Sequence, residues 1–211
     1  SIRYIYLRDE ETGDFWSASW KPVAKPLEEY KTECHHGTSY TEIVSEYNGI
    51  RSRVLYYVPM GATHEVWRIT VENLTDRPRK IAVFGYAELT TESFYTQDLV
   101  NMQYTQFITK TEFHDNFILE QINEFSYPNP DGTTGRERFF GLAGAPVASY
   151  TGRREQFLGR NRFDRPQAVL DGQCDNSLNY NANPCGALHF SVTLQPGEKK
   201  TAAFLLGQKT V

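Results

Sequence analysis

The dipeptide Asn48-Gly49 is the strongest local constraint in this chain of 211 residues. It separates two runs rich in aromatic and β-branched residues, 40–47 and 50–59. Asn and Gly both tolerate the positive φ angles that a two-residue turn between antiparallel strands requires. The pattern therefore predicts a β-hairpin with its turn at Asn48-Gly49.

Two further pairs of strand-like runs follow, each separated by turn residues. Residues 65–72 and 80–86 flank a polar turn, and residues 187–194 and 201–206 flank a Pro-Gly turn. Because turn residues between alternating runs are typical of hairpins, both pairs are interpreted as β-hairpins.

The spacing of these runs indicates the fold class. Strands recur at intervals of roughly 10 to 14 residues, and no long segment has helical period, which is typical of a sandwich or barrel. The length suffices for a sizeable core. The sequence predicts an all-β protein, a large antiparallel β-sandwich built from hairpins, with residues 1–211 as a single domain.

A run near the N-terminus carries two of the three tryptophans. After an acidic turn around Gly13, Trp16 and Trp20 recur at the period of a β-strand, so that both indoles lie on one face of a strand over residues 15–20. We expect this face to belong to the core. The alternative is that Trp16, Trp20 and Trp67 are exposed and stack on a sugar.

The charge and hydropathy of the chain limit the classes of partner that we expect. With 22 basic and 26 acidic residues the formal net charge is −4, which gives no reason to expect nucleic acid or an anionic membrane as a partner. No stretch approaches the roughly 20 apolar residues of a transmembrane helix. The first residue is Ser1 and no signal peptide follows, so we expect the chain to be a piece of a longer protein.

The cysteine content indicates a reducing compartment. Cys34, Cys174 and Cys185 are an odd number, which is a poor disulfide framework. The sequence therefore predicts a cytoplasmic protein. A Cys174–Cys185 bridge is the alternative.

Two local patterns suggest chemistry without establishing it. Cys34, His35 and His36 are adjacent, but neighbouring side chains on a strand point to opposite faces and no second ligand pair lies at zinc spacing, so no metal is expected. The tripeptide from Asn73 to Thr75 matches a glycosylation acceptor. The favoured interpretation is a turn between strands.

Several carboxylates are candidates for the acid and base of a glycosidase. The candidates are Asp9, Glu10, Glu11 and Asp14 in the first turn, and Glu88 and Glu92 further along. Acidic residues in a turn before a strand are ordinarily solvated, and no nucleophile elbow or glycine-rich phosphate loop is present. We therefore expect no catalytic residue in this chain.

Strand period breaks down over residues 90–104, a polar stretch that contains several aromatic residues. A loop of this length within a compact domain is typically functional or disordered. We expect a functional loop here.

Several short motifs follow one another in a characteristic order. They are Tyr4-Ile5-Tyr6-Leu7-Arg8-Asp9, Gly13-Asp14-Phe15-Trp16-Ser17-Ala18-Ser19-Trp20-Lys21-Pro22-Val23, His36-Gly37-Thr38-Ser39-Tyr40-Thr41, Phe157-Leu158-Gly159 and Leu194-Gln195-Pro196-Gly197-Glu198. In this order they resemble the disaccharide phosphorylases of glycoside hydrolase family 94, which include cellobiose, cellodextrin and N,N'-diacetylchitobiose phosphorylases. The resemblance spans nearly the whole chain and implies an N-terminal β-supersandwich domain.

The resemblance also implies an activity for the full-length protein. In the family an (α/α)6 barrel follows this domain and carries the general acid and the phosphate-binding residues, so this chain alone is expected to be inactive. The reaction is phosphorolysis of a β-linked disaccharide with inversion, with inorganic phosphate as co-substrate and no cofactor. Cellobiose, cellobionic acid and N,N'-diacetylchitobiose are the substrates implied.

The family resemblance assigns a role to the aperiodic segment. Family members are homodimers in which a loop of this domain covers the neighbouring subunit's substrate pocket, and Asn101, Gln103 and Tyr104 match the tip of that loop. In cellobiose-specific members Gln is followed by Arg, whereas this chain has Tyr104. The sugar released from the disaccharide is therefore expected to differ.

Two alternatives remain at the level of sequence. One is a free-standing carbohydrate-binding module without catalysis, which requires exposed tryptophans. The other is a purely structural β-sandwich attached to another enzyme, such as a glucan synthase.

Overall fold

A computed structural model describes residues 2–89, 109–122 and 136–209. Within these ranges the chain forms thirteen strands and two short helices. The strands are β1 (Arg3–Asp9), β2 (Phe15–Ser17), β3 (Lys31–His36), β4 (Tyr40–Tyr47), β5 (Ile50–Tyr57), β6 (His64–Asn73), β7 (Arg79–Glu88), β8 (Thr109–His114), β9 (Phe117–Ile122), β10 (Arg136–Ala143), β11 (Ser149–Arg153), β12 (Pro184–Leu194) and β13 (Lys199–Lys209). The helices are α1 (Arg154–Leu158) and α2 (Gln167–Asp171).

The strands form two antiparallel sheets. One sheet has five strands in the order β11-β12-β7-β1-β2, and the other has eight in the order β3-β4-β5-β6-β13-β10-β9-β8. The main hydrophobic core draws on residues of both sheets. The predicted all-β, antiparallel β-sandwich is confirmed.

The hairpin predicted at Asn48-Gly49 is confirmed. Tyr47 pairs with Ile50 across the turn, and the two turn residues have φ angles of 50° and 71°. Positive φ at both central residues defines the type I′ turn, whose twist matches that of the flanking strands. Local sequence is sufficient to specify this connection.

The other two predicted hairpins are wrong, although their strands exist. β6 pairs with β5 and β13 in the eight-stranded sheet, whereas β7 pairs with β1 and β12 in the five-stranded sheet. In the same way β12 lies in the five-stranded sheet and β13 in the eight-stranded one. Both connections are therefore arches that pass from one sheet to the other.

Asn73 joins the two arches through hydrogen bonds. It is fully buried, and its side-chain amide donates to the carbonyls of Arg77 at 2.7 Å and Leu194 at 3.1 Å. Its main chain accepts from Gly197 N at 2.9 Å and donates to Glu198 O at 2.9 Å. This residue belongs to the tripeptide that matches a glycosylation acceptor, and burial of its amide nitrogen supports the interpretation as a turn.

The strand predicted over residues 15–20 is shorter than expected. β2 ends at Ser17, and Trp20 has a φ angle of 65°, so the chain turns before the second indole. Trp16 and Trp67 are buried, which excludes them from an exposed sugar platform. Trp20 is half-buried, and its indole N–H donates to Lys25 O at 2.8 Å.

Two separate apolar clusters stabilise the fold. The larger contains Trp16, Trp67 and Phe204, with residues from both sheets. The smaller joins outward-facing residues of the five-stranded sheet to α1 and α2. Gly85 on β7 permits close approach in the larger cluster, since a Cβ there would lie 2.5 Å from the Phe204 ring.

Candidate functional site

The sandwich end next to residues 90–108 is the candidate functional site. The predicted loop residues Asn101, Gln103 and Tyr104 lie outside the described residues, so the structure does not place them. The described residues on either side are Leu89, which is buried after β7, and Thr109, which begins β8 and is also buried.

The β7 side of this site is held by an ion pair. Arg154 Nε of α1 lies 2.8 Å from Glu88 Oε1 at the end of β7. The Glu88 main chain donates to Ile2 O at 3.1 Å, and the Tyr86 hydroxyl lies 3.5 Å from the same carboxylate. Burial, together with Cys185 and Glu88, raises the pKa of Tyr86, so this hydroxyl stays protonated.

The β8 side is bound to the segment that precedes β12. Asn179 N donates to Thr111 Oγ1 at 2.7 Å, and Thr111 N donates to Asn179 O at 3.0 Å. Lys110 also forms an isolated antiparallel bridge with Tyr180, whose side chain is exposed. No local sequence pattern predicts these contacts, because they join residues far apart in the chain.

The first residues of α1 connect the two sides. Arg154 N donates to Asn183 O at 3.0 Å, and Asn183 Nδ2 donates to Glu155 Oε1 at 2.6 Å. Arg154 thus contacts Glu88 through its side chain and the segment before β12 through its main chain. Arg154 therefore links the residues on both sides of the predicted loop to the same part of the sandwich.

The candidate carboxylates of the first turn all have partners. Asp9 pairs with Arg79 at 3.1 Å, both side chains being almost fully buried, and Asp14 accepts from Lys25 Nζ and the Tyr47 hydroxyl, each at 2.7 Å. Glu10 lies 3.4 Å from Arg8, and Glu11 lies 2.7 Å from Arg77.

The expectation that these carboxylates are solvated is wrong for Asp9. Burial alone would raise its pKa, but the Glu11 N–H and the Arg79 charge outweigh burial and hold the pKa below its usual range. Asp9 is therefore an ionised carboxylate in a structural pair. Glu88 is likewise held in an ion pair, and Glu92 lies outside the described residues.

Cys34, His35 and His36 lie on β3, which is exposed along its length. Cys34 Sγ lies 3.4 Å from His36 Nε2, while His35 Nε2 lies 3.3 Å from Glu33. Among the residues that the structure describes, no group of three His, Cys, Asp or Glu side chains is placed to hold a metal ion. These contacts support a polar edge strand.

All three cysteines are free, so the alternative of a Cys174–Cys185 bridge is not realised. Both of these thiols are buried, and burial raises the pKa of Cys174 to about 12. Within the described part of the chain, no helix has the length and apolar character needed to cross a bilayer.

Comparison with known proteins adds the family. The chain matches the model described as glycosyl hydrolase 94, supersandwich domain, over residues 1–211. It is similar to the N,N'-diacetylchitobiose phosphorylases of Vibrio furnissii and Vibrio proteolyticus, with 42% and 38% identity over 97% of this chain and 25% of each protein. It is also 33% identical to solabiose phosphorylase of Paenibacillus borealis, over 97% of this chain and 26% of that protein.

These relatives are much longer than the chain described here, which spans about a quarter of their length. The family model, in contrast, is matched across the whole chain, and the observed antiparallel sandwich agrees with a supersandwich. The chain belongs to the glycosyl hydrolase 94 supersandwich-domain family.

Proposed function

We propose that this chain is the N-terminal domain of an inverting β-disaccharide phosphorylase. The observation that carries the proposal is the match of the whole chain to the supersandwich family, with relatives that are disaccharide phosphorylases. In the proposed reaction a β-linked disaccharide and inorganic phosphate give an α-sugar 1-phosphate and a free monosaccharide. N,N'-diacetylchitobiose is the first substrate to test, with cellobiose and cellobionic acid as alternatives.

The chemistry of inversion explains why this domain needs no catalytic pair. Phosphate attacks the anomeric carbon from the face opposite the leaving sugar, and it replaces the water that a base activates in an inverting glycosidase. A single carboxylic acid then protonates the leaving oxygen. As the family resemblance implies, the proposal places that acid in a barrel outside this chain, and this chain alone is expected to be inactive. The described carboxylates of the first turn, which are all paired, are compatible with this assignment.

The proposed contribution of this domain is a loop in a homodimer. Residues 94–104, with Asn101, Gln103 and Tyr104 at the tip, would cover the substrate pocket of the neighbouring subunit. Support comes from the flanking residues, since the Arg154–Glu88 pair and the Thr111–Asn179 bonds fix both sides of the segment. A loop with fixed ends loses less entropy when it orders over a substrate.

The proposal also covers the cofactor requirement and the cellular location. The reaction requires no cofactor, because phosphate and an acid supply all the chemistry. A cytoplasmic location is supported by the three free cysteines, which suit a reducing compartment.

The reaction is tested with the full-length protein. It is incubated with N,N'-diacetylchitobiose, cellobiose and cellobionic acid, with and without phosphate, and the sugar 1-phosphate is followed by ³¹P NMR. Release of an α-anomer that requires phosphate would support inverting phosphorolysis. Release of monosaccharide without phosphate, or none in either direction, would contradict it.

The loop is tested by Gln103→Ala in the full-length protein, with Gln97→Ala as a control in the same segment. Loss of one hydrogen bond to substrate costs about 1 to 2 kcal/mol, so we expect the KM to rise about tenfold with an unchanged melting temperature. The control should behave as wild type. Equal kinetics for both variants would contradict the proposed loop.

A further inference from the structure

A groove of about 490 Å³ opens beside α1, on the face of the five-stranded sheet that α1 and α2 cover. Its walls include the ring of Phe163 and the polar side chains of Lys21, Arg154, Asn161, Arg162 and Asp164. Apart from Arg154, whose side chain also reaches Glu88, these residues take no part in the site described above. A groove of this size accommodates a small molecule.

One wall of the groove is an aromatic ring held in place from several sides. The Phe163 ring centroid lies 5.4 Å from that of Tyr4 and 5.3 Å from that of Tyr86, and the Arg154 guanidinium lies 5.5 Å from it. The buried Tyr6 hydroxyl donates to Phe163 O at 2.7 Å, which fixes the main chain. The half-buried ring therefore presents a rigid apolar surface, suited to the apolar face of a sugar.

The polar groups around this ring carry an excess of positive charge. Of the three cations, Arg154 is neutralised by Glu88 at 2.8 Å, and Arg162 lies 3.9 Å from Asp164 with its side chain almost fully exposed. Lys21 Nζ lies 5.8 Å from the centroid of the Trp20 ring, and among the described residues it forms no ion pair with a carboxylate. The balance is one positive charge, and Arg162 and Lys21 retain donors that a bound anion can accept.

Asn161, a further polar residue of the groove lining, supplies directional hydrogen bonding. Asn161 Nδ2 donates to Gln167 Oε1 of α2 at 3.0 Å, which orients the amide. An oriented amide beside a fixed aromatic ring is a combination that suits sugar hydroxyls, since hydroxyls both donate and accept.

From these observations we infer that the groove binds an anionic monosaccharide, with its ring against Phe163 and its phosphate or carboxylate near Arg162 and Lys21. The inference does not rest on the proposed phosphorolysis, because Phe163, Arg162 and Lys21, which carry it, have no part in that reaction. A sugar phosphate and a uronic acid share the chemistry that the groove recognises, and the test separates them.

The site is tested by hydrogen–deuterium exchange of the full-length protein, read on peptides that cover residues 154–164. The probes are α-glucose 1-phosphate, glucuronic acid, glucose and inorganic phosphate, each titrated separately. We expect local protection by one or both anionic sugars at concentrations where glucose and phosphate give none. Protection by phosphate alone would overturn the inference, since it would mean that only the charge is recognised.

Two variants and a matched control complete the test. Arg162→Ala should weaken protection about tenfold, the effect of losing one charge-assisted hydrogen bond. Phe163→Leu should weaken it similarly, because an apolar side chain remains but the flat ring is gone. Arg160→Ala removes an exposed arginine that does not line the groove and should leave protection unchanged.

The outcomes of this test are distinct from those of the phosphorolysis assay. Arg162→Ala is expected to retain the wild-type rate of sugar 1-phosphate release while it loses protection in the groove. Equal loss in Arg160→Ala and Arg162→Ala, or no protection by any sugar, would overturn the inference whether or not the protein is a phosphorylase.

Discussion

Strand β7 carries an arginine–carboxylate pair at each end, and the two pairs differ in almost every respect except chemistry. At its start Arg79 lies 3.1 Å from Asp9, with side-chain exposures of 1% and 2%. At its end Glu88 lies 2.8 Å from Arg154, with exposures of 27% and 39%. Arg79 and Glu88 are the first and last of the ten residues of β7, so the pairs are separated by roughly 30 Å.

From this difference we expect burial, rather than distance, to decide how much each pair contributes to stability. The Arg79–Asp9 pair is part of a network, since Arg79 Nη1 donates to Asn48 O at 2.9 Å and Asp9 accepts from Glu11 N at 3.0 Å. Removing either ion leaves a charge stranded in the interior. The shorter Arg154–Glu88 pair is accessible to water, which screens it and solvates either partner alone.

The largest effect is expected from Arg79→Met. Because Asp9 is then buried without a cation, the free energy of unfolding should fall by about 3 to 5 kcal/mol, measured by chemical denaturation with tryptophan fluorescence. Arg77→Met is the matched control, since Arg77 pairs with Glu11 at the exposed surface of the same region. The comparison fails if the two variants are equally stable.

The pH dependence of stability tests a buried histidine that packs against the middle of β7. His189 on β12 stacks on Phe84 of β7 with ring centroids 4.5 Å apart, and its Nδ1 lies within hydrogen-bond distance of the Ser149 hydroxyl, at 2.8 Å. Burial, followed by the charges of Arg8 and Lys80, lowers the pKa of His189 to about 4 from its usual 6.5. The folded protein therefore holds this imidazole neutral.

The sign of the pH effect follows from that shift. Between pH 6.5 and 4 the unfolded chain binds a proton at His189 that the folded chain does not, so stability is complete above pH 6.5 and decreases as the pH falls. The loss should reach on the order of 3 kcal/mol at pH 4. His189→Gln should flatten the profile in this window, whereas the contribution of Asp9, whose pKa is lowered, is lost only at more acidic pH.

An intermediate effect is expected at the connection between the sheets. Asn73→Ala removes the amide that donates to Arg77 O and Leu194 O, so the buried Leu194 carbonyl and the partly buried Arg77 carbonyl each lose a donor. The free energy of unfolding should fall by about 2 to 3 kcal/mol in chemical denaturation. Thr75→Ala, which removes a single hydroxyl contact with the Asn73 side chain, is the milder control.

The smallest effect on stability is expected from Arg154→Met, at most about 1 kcal/mol, because the pair with Glu88 is solvated. Thermal unfolding of this variant and of Arg79→Met under identical conditions tests the central comparison directly. A loss for Arg154→Met as large as that for Arg79→Met would show that exposure does not distinguish the two pairs.

These features differ in how far the sequence could predict them. Asn48-Gly49 specifies its hairpin because the turn residues themselves impose the required φ angles. The connections after Asn73 and Leu194 also carry turn signals, yet each joins different sheets. The choice depends on partners that are distant in the chain, since β7 pairs with β1 and β12, and β13 pairs with β6 and β10. No local pattern encodes these pairings.

The candidate site shows the same limit. The loop residues Asn101, Gln103 and Tyr104 came from a family resemblance, and their placement stays a prediction. The pair that fixes the β7 side joins residues 88 and 154, and the Asn179–Thr111 bonds join the chain over a similar separation. Contacts of this kind arise from the assembled fold, so single-sequence reasoning could identify the segment but not its anchors.

The arches also have a consequence for how the protein assembles during synthesis. β12 joins β11 to β7, and β13 joins β6 to β10, so neither sheet is complete until residues 184–209 have left the ribosome. Until then β6 and β7 each present an unpaired edge to solvent, and such edges favour aggregation. Nascent chains that stall before residue 184 are therefore expected to need chaperone protection, and those that pass residue 209 can close both sheets in one step.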